Sequence, residues 1–573
     1  RLYMLQTRSG KRTAAAAVRI ASEMVRDEII TKEEALARIE PGMVDQLLRD
    51  QYDPDALKGA TRIAKGLNAS PGAAVGQVVF DADAAVAWVE QGKSVVLVRV
   101  ETSPEDFHGM AIAEGILTAR GGATSHAAVV ARQIGKPCVA GCAELTVDYA
   151  TKTATSVNSG ITFKEGDWIS LDGGTGEVFE GALATVSADY DEQDDLKTVL
   201  GWADEIRRME VWTNADKPEE AERARAYGAQ GIGLCRTEHM FREGERLEIV
   251  RGAILVSGAA MRARAKVEAG GSLDAEEQAA VDTFDGAMAK LEALQQGDFE
   301  GIFEAMKGLP VVVRLIDPPL HEFLPNLEET LVEVTKAGDA ATEEQKQLLA
   351  IVQSMHEMNP MLGLRGVRLG LMIPDFVKIQ TRAILNAQVA VNKRGGDAIA
   401  KIMIPLVGHV NELSRVRGLL EAEADKIAED SGVTLDYKFG TMIEIPRGAL
   451  TADEIAKEAS FFSFGTNDLT QMAFGYSRDD AEGGFLLKYV EEKVLPFNPF
   501  QTIDATGVGQ LVEIAVQKGR AARPDIELGV CGEHGGDPES IHFFNKVGLD
   551  YVSCSPFRVP VARLAAAQAV LES

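Results

Sequence analysis

Beyond Val211 the chain alternates short, nearly unbroken apolar runs with amphipathic helical stretches. Eight such runs stand out: VWTNAD from Val211, GIGLCRTE from Gly231, VVVRLID from Val311, KIMIPLV from Lys401, FGTMIEI from Phe439, FFSFGTNDL from Phe461, ELGVCGE from Glu527 and YVSCSP from Tyr551. Runs rich in β-branched residues, apolar at successive positions and separated by helices, predict parallel strands covered on both faces. Eight of them predict an α/β architecture closed into a (β/α)8 barrel. From Leu67 to Glu180 the texture differs: GQVVF, SVVLVRV, GILTA, PCVAG, DWISLDG and GEVFEG are short β-runs split by glycine, and LDGGTGEVFEG reads as a hairpin. A compact β/α domain follows from this.

Residues 12 to about 60 carry helical spacing, with Thr31 before Glu33 and Glu34 as a helix start and Pro41-Gly42 and Asp53-Pro54 as breaks. The acidic stretch ADYDEQDDLKTVLGWADEIRR reads as a linker turning helical. The pattern therefore divides the chain into a helical connector at 1–60, a β/α domain at 61–186, a linker at 187–210 and the barrel at 211–573. A charged helical stretch at 254–296 predicts an extra helical hairpin outside any site.

Composition narrows the function. At 573 residues the chain exceeds one ordinary core, and roughly three to four units are expected. A net charge of −28 offers no basic stripe for a nucleic-acid backbone. No apolar run reaches the roughly 18 residues of a membrane helix and no signal peptide opens the chain, so the expected setting is the cytoplasm, without a membrane partner. Five cysteines, Cys138, Cys142, Cys235, Cys531 and Cys554, are too scattered for a disulfide framework or a zinc cage. Neither G-x-x-x-x-G-K-S/T nor a G-x-G-x-x-G following a strand is present.

Two places carry candidate chemistry. In GGATSHAAVVARQIG, from Gly121 to Gly135, glycines and small hydroxyl residues lead to His126 at the first turn of a helix, presented outward. A helix amino terminus favours an anion, and a neutral imidazole can accept a phosphoryl group and release it; the alternative is a histidine that packs under the turn. The second place is the barrel rim. Arg236, Arg314, Glu444, Asn467, Asp468 and Cys531 all fall at the carboxyl ends of their strands, where barrel active sites sit. Glu444 and Asp468, hard oxygen ligands without Cys or His beside them, suit Mg²⁺, or else each pairs with an arginine. Arg236 and Arg314 suit a small anionic substrate. Cys531 is either a proton-exchanging thiol or a small buried hydrophobe.

The stretch around His126 resembles the phosphohistidine motif of the PEP-utilising enzymes, the family of pyruvate, phosphate dikinase, phosphoenolpyruvate synthase and enzyme I of the sugar phosphotransferase system. GLCRTEHMF, VVVRLIDPPLHEFLP, GTNDLTQMAFG and CGEHGGDPESI extend the resemblance over nearly the whole chain, and DPPLHEFLP and CGEHGGDP place it on the dikinase side. The resemblance implies a swivelling phosphohistidine domain followed by a TIM barrel. His126 would carry the phosphoryl group, Glu444 and Asp468 would hold Mg²⁺, and Arg236, Arg314, Gly465, Thr466 and Asn467 would bind pyruvate or phosphoenolpyruvate. Cys531 would donate the proton. It further implies a homodimer, and an absent ATP-grasp domain through which ATP, AMP, phosphate and diphosphate would act, leaving this chain the pyruvate half of the reaction. Thr124 matches a position where some dikinases are switched off by phosphorylation, and is equally a plain helix cap. In NPMLGLRGVRLG, Leu364 and Val367 stand where dikinases usually have histidine and cysteine.

Overall fold

A computed structural model describes residues 12–572 apart from 104–105, 123–124, 187 and 242–244. Contacts divide the chain into two compact units, one of residues up to Ile206 with Gly475–Thr502 and Arg563–Glu572, the other of Arg207–Phe474 with Ile503–Ala562.

In the first unit the connector forms helices Ala14–Arg26, Lys32–Ala37, Pro41–Leu47 and Pro54–Lys58. Thr31 and Glu34 cap the second of these reciprocally, side chain to backbone in both directions. An eight-stranded sheet runs in the order Arg62–Lys65, Glu177–Glu180, Trp168–Asp172, Ala73–Val79, Val95–Arg99, Gly115–Thr118, Cys138–Ala140 and Leu67–Ser70. The hairpin anticipated at LDGGTGEVFEG is its Trp168–Asp172 and Glu177–Glu180 pair, with Asp172 opposite Glu177. Alternate residues of the central strands feed two apolar layers: Val78, Val96 and Leu117 enter one, and Val79, Val95, Leu97 and Ile116 the other. The second layer is closed by Ala127, Ala128 and Ala131 of the helix His126–Ile134. A separate three-stranded sheet, Leu145–Asp148, Thr153–Ser156 and Thr162–Lys164, was not evident from the sequence, because its Thr- and Ser-rich strands contain no apolar run.

The second unit is a closed, all-parallel barrel whose strands neighbour one another in chain order. We label them β1 (Glu210–Asn214), β2 (Ile232–Arg236), β3 (Pro310–Arg314), β4 (Ile399–Ile404), β5 (Tyr437–Ile443), β6 (Phe461–Phe464), β7 (Glu527–Val530) and β8 (Tyr551–Cys554). All eight predicted strands are present. The interior is filled: the Trp212 and Tyr551 rings stack with centroids 3.8 Å apart. Buried Lys401 lies 4.7 Å from the Trp212 centroid and bonds Glu527 at 2.5 Å. A Cβ on Gly529 would stand 2.0 Å from the Tyr551 ring, so a strand residue without a side chain makes room for a large one.

The stretch at 254–296 is a hairpin of helices Arg246–Glu268 and Ala275–Ala305. It is not wholly apart from the rim, since buried Gln295 donates to the Thr237 carbonyl beside Arg236. Among the described residues no helix is long and apolar enough to cross a membrane.

Candidate active site

His126 is the first residue of its helix, which Ser125 caps by accepting from the Ala128 N–H. The ring is only partly exposed, not turned fully outward as the sequence led us to expect. Its Nδ1 shares a 2.9 Å hydrogen bond with Oγ1 of buried Thr102, so the solvent-facing chemistry falls to Nε2. Burial holds the imidazole below its ordinary 6.5 despite Asp106 and Glu482 nearby, and it is therefore neutral and nucleophilic at pH 7. Arg49 donates to the Gly135 carbonyl at 2.7 Å, placing a cation at the far end of this helix. Thr124 lies outside the described residues.

At the barrel rim, Arg236 ends β2 and Arg314 ends β3; Glu444 follows β5, Gly465 to Asp468 follow β6 and Cys531 follows β7. The arginines are held by carboxylates. Asp216 accepts from the Arg236 backbone N–H at 2.7 Å, and from its Nε and Nη2 at 3.0 and 2.8 Å. The same Oδ2 lies 2.8 Å from His239 Nδ1. Arg314 pairs with Glu238 through Nη2 and with Asp317 through Nη1. Arg365 joins the cluster, bonding Asp317 at 2.6 Å and reaching Asp468 at 3.4 Å. Burial alone would raise Asp317, but Arg314 and Arg365 outweigh it and hold the carboxyl below its usual range.

Glu444 has no such partner. Its Oε1 accepts the Leu406 N–H at 2.6 Å, delivered by a leucine in the left-handed region at φ 63°, while buried Oε2 accepts from no described donor. Burial, then Asp468 and Asp317, push Glu444 well above 4.5, and burial also raises Asp468. Three guanidinium groups thus face five carboxyls, Asp216, Glu238, Asp317, Glu444 and Asp468, a formal surplus of two negative charges when all are ionised. An orphaned carboxyl oxygen and a surplus of that size fit a divalent cation. Among the described residues no group of three or more Asp, Glu, His or Cys side chains is placed to hold a metal ion.

Gly465 and Gly532 are required sterically: a Cβ would come within 2.6 Å of Glu444 Oε2 at the first and 2.1 Å of Thr466 Oγ1 at the second. Thr466 Oγ1 bonds His534 Nδ1 at 2.7 Å, and Asn467 Oδ1 accepts the Glu533 N–H at 3.2 Å. Both side chains therefore hold the turn carrying Cys531, and His534 faces Thr466. Burial pushes the Cys531 thiol up to about 11. It is buried among Trp212, Leu234 and Met442.

Sequence reasoning missed Asp216, Glu238 and Asp317, although each stands within three residues of a strand end inside the runs already marked as strands. Arg365, within the NPMLGLRGVRLG stretch, was not placed in the site either. Thr102 and Leu406 gave no local signal. Val367 is buried with its N–H on the Pro405 carbonyl, and the Leu364 N–H donates to Glu357, so the loop that departs from the dikinase pattern still delivers Arg365.

Two family models match: "PEP-utilising enzyme, PEP-binding domain" over residues 190–571 and "PEP-utilising enzyme, mobile domain" over residues 91–176. The chain is 51% identical over its whole length to pyruvate, phosphate dikinase 1, chloroplastic, of Arabidopsis thaliana, covering 56% of that protein. It is 50% identical to pyruvate, phosphate dikinase of Clostridium symbiosum, covering 62%, and 49% identical to that of Rhizobium meliloti (strain 1021), covering 60%. The chain thus spans about three fifths of the length of these curated relatives. With one model matching most of its length on the barrel and the other on the histidine domain, the chain belongs to the PEP-utilising enzymes.

Proposed function

We propose that this chain performs the phosphohistidine and pyruvate half of a pyruvate, phosphate dikinase reaction. The observation that carries the reading is the rim itself: two arginines at adjacent strand ends, a pair of buried carboxyls short of positive charge, and a protonated thiol on the neighbouring turn. In this proposal Arg236 and Arg314 bind the phosphoryl and carboxylate groups of phosphoenolpyruvate. Nε2 of His126 forms a bond to phosphorus as the bond from phosphorus to the enol oxygen breaks, and the electron pair stays on that oxygen. Nδ1, facing Thr102, keeps the ring proton throughout. The enolate then takes a proton at its methylene carbon from the Cys531 thiol, which is protonated at neutral pH, giving pyruvate. Glu444 and Asp468 would hold Mg²⁺, whose charge stabilises the enolate when the ion is bound.

The reading requires the His126 ring to reach the rim, and the histidine domain is proposed to swivel for this purpose. The nucleotide half of the reaction, with ATP, phosphate, AMP and diphosphate, is proposed for the portion of the relatives that this chain does not span. A homodimer is proposed on the same grounds of kinship.

Incubation with phosphoenolpyruvate and Mg²⁺ should yield pyruvate and an acid-labile adduct on His126, and His126→Ala should abolish both. If phosphoenolpyruvate remains untouched, the reading fails.

A further inference from the structure

We propose that Asp216 is the positioning residue that fixes how Arg236 meets the substrate anion, an inference that rests on the function proposed above. Asp216 follows β1, one strand away from the arginine it holds, and its side chain is only 6% exposed, so it is fixed independently of β2. Its own N–H is tied to Glu220 at 2.9 Å. From there Oδ1 takes the Arg236 backbone N–H, while Oδ2 takes Nε and Nη2 of the same residue and faces His239 Nδ1.

The consequence is directional. Asp216 fills the side-on edge of the guanidinium, the edge formed by Nε and Nη2. The end bearing Nη1 is left for a ligand, and the Arg236 side chain is 38% exposed against 11% for Arg314. A long side chain on a strand end would otherwise sample several rotamers; here one carboxylate fixes both its backbone and its head. The arrangement is a preorganised anion donor rather than a saturated ion pair, because a guanidinium carries five N–H donors and Asp216 uses two of them. Asp216 stays ionised in this role: burial would raise it, but His239 and Arg236 outweigh burial and hold it below its ordinary value.

The test is a double-mutant cycle on the 573-residue chain, read as exchange of labelled pyruvate into phosphoenolpyruvate with Mg²⁺ present. Asp216→Asn should raise the apparent KM for phosphoenolpyruvate roughly 10- to 100-fold, the loss expected for one charged hydrogen-bonding partner. In an Arg236→Ala background the same change should add less than about twofold, since the group it positions is gone. Asp216→Glu should recover part of the loss. The near-ultraviolet circular dichroism and the calorimetric melting transition should match the parent in every variant, showing that the barrel is folded; should Asp216→Asn fail this control, Asp216→Ser replaces it. Equal losses in the parent and Arg236→Ala backgrounds, or an unchanged KM, would overturn the inference while leaving the proposed function standing. A parent chain silent in the exchange assay overturns both.

Discussion

Gly465 shows how much one residue can decide. The position is glycine because the Glu444 carboxyl occupies the space where a Cβ would stand, 2.6 Å from Oε2. Gly465→Ala should push that carboxyl aside and lower pyruvate exchange roughly 100-fold, as displacements of about 1 Å in an active site do, with the circular dichroism spectrum retained. His126 makes a prediction in pH. Its ring titrates below 6.5, so in the window between its folded value and 6.5 the unfolded chain binds a proton that the native ring does not. Stability should therefore fall as pH drops through that window, and His126→Gln should flatten this part of the profile. The nucleophile stays neutral in the same window, so phosphoenzyme formation measured at pH 6 should exceed that expected for a histidine of pKa 6.5.

At the scale of elements, the helix His126–Ile134 is capped locally at both ends, by Ser125 and by left-handed Gly135, and a distant residue reinforces the second cap. The Gly135 N–H bonds the Ala131 carbonyl, and Arg49, from the connector and itself paired with Asp45, donates to the Gly135 carbonyl. Arg49→Ala should cost about 1–2 kcal/mol in denaturant unfolding, through a lost charged hydrogen bond and a lost charge at the helix terminus. Helix and strand positions were largely legible in the sequence for a physical reason. Parallel barrel strands are buried on both faces, so the unbroken Val311–Val313 of β3 and the three phenylalanines among the four residues of β6 cannot hide. The Leu145–Asp148, Thr153–Ser156 and Thr162–Lys164 sheet escaped notice because its strands bury single residues such as Ala154 and Phe163 between polar neighbours. Likewise Arg236 and Glu444 could be read from strand-end position alone, whereas Thr102 reaches His126 across 24 positions of chain and only the folded sheet brings the two together.

For the molecule as a whole, the surplus of negative charge at the rim is a stability term as well as a chemical one. Between 4.5 and its raised value, native Glu444 keeps a proton that the unfolded chain has released, so stability should decline as pH rises through that window. Without added metal, Glu444→Gln should therefore melt higher than the parent near neutral pH. Adding Mg²⁺ should reverse the order: at a hundredfold excess over Kd the parent gains about 2.7 kcal/mol, and the variant gains far less. Calorimetric melting curves of both proteins with Mg²⁺ and with EDTA check this, and an identical response in the two would remove Glu444 from the cation site.

The stacked indole and phenol of Trp212 and Tyr551, with Lys401 and Glu527 beside them, stop the barrel like a cork at its base. In the reaction proposed above, a small acid bound at the opposite rim and the His126 imidazole would both come and go on the rim side. With the floor plugged, that proposal predicts turn-taking at the rim: the acid should enter ahead of the ring and depart after it, an order that initial-rate kinetics would read.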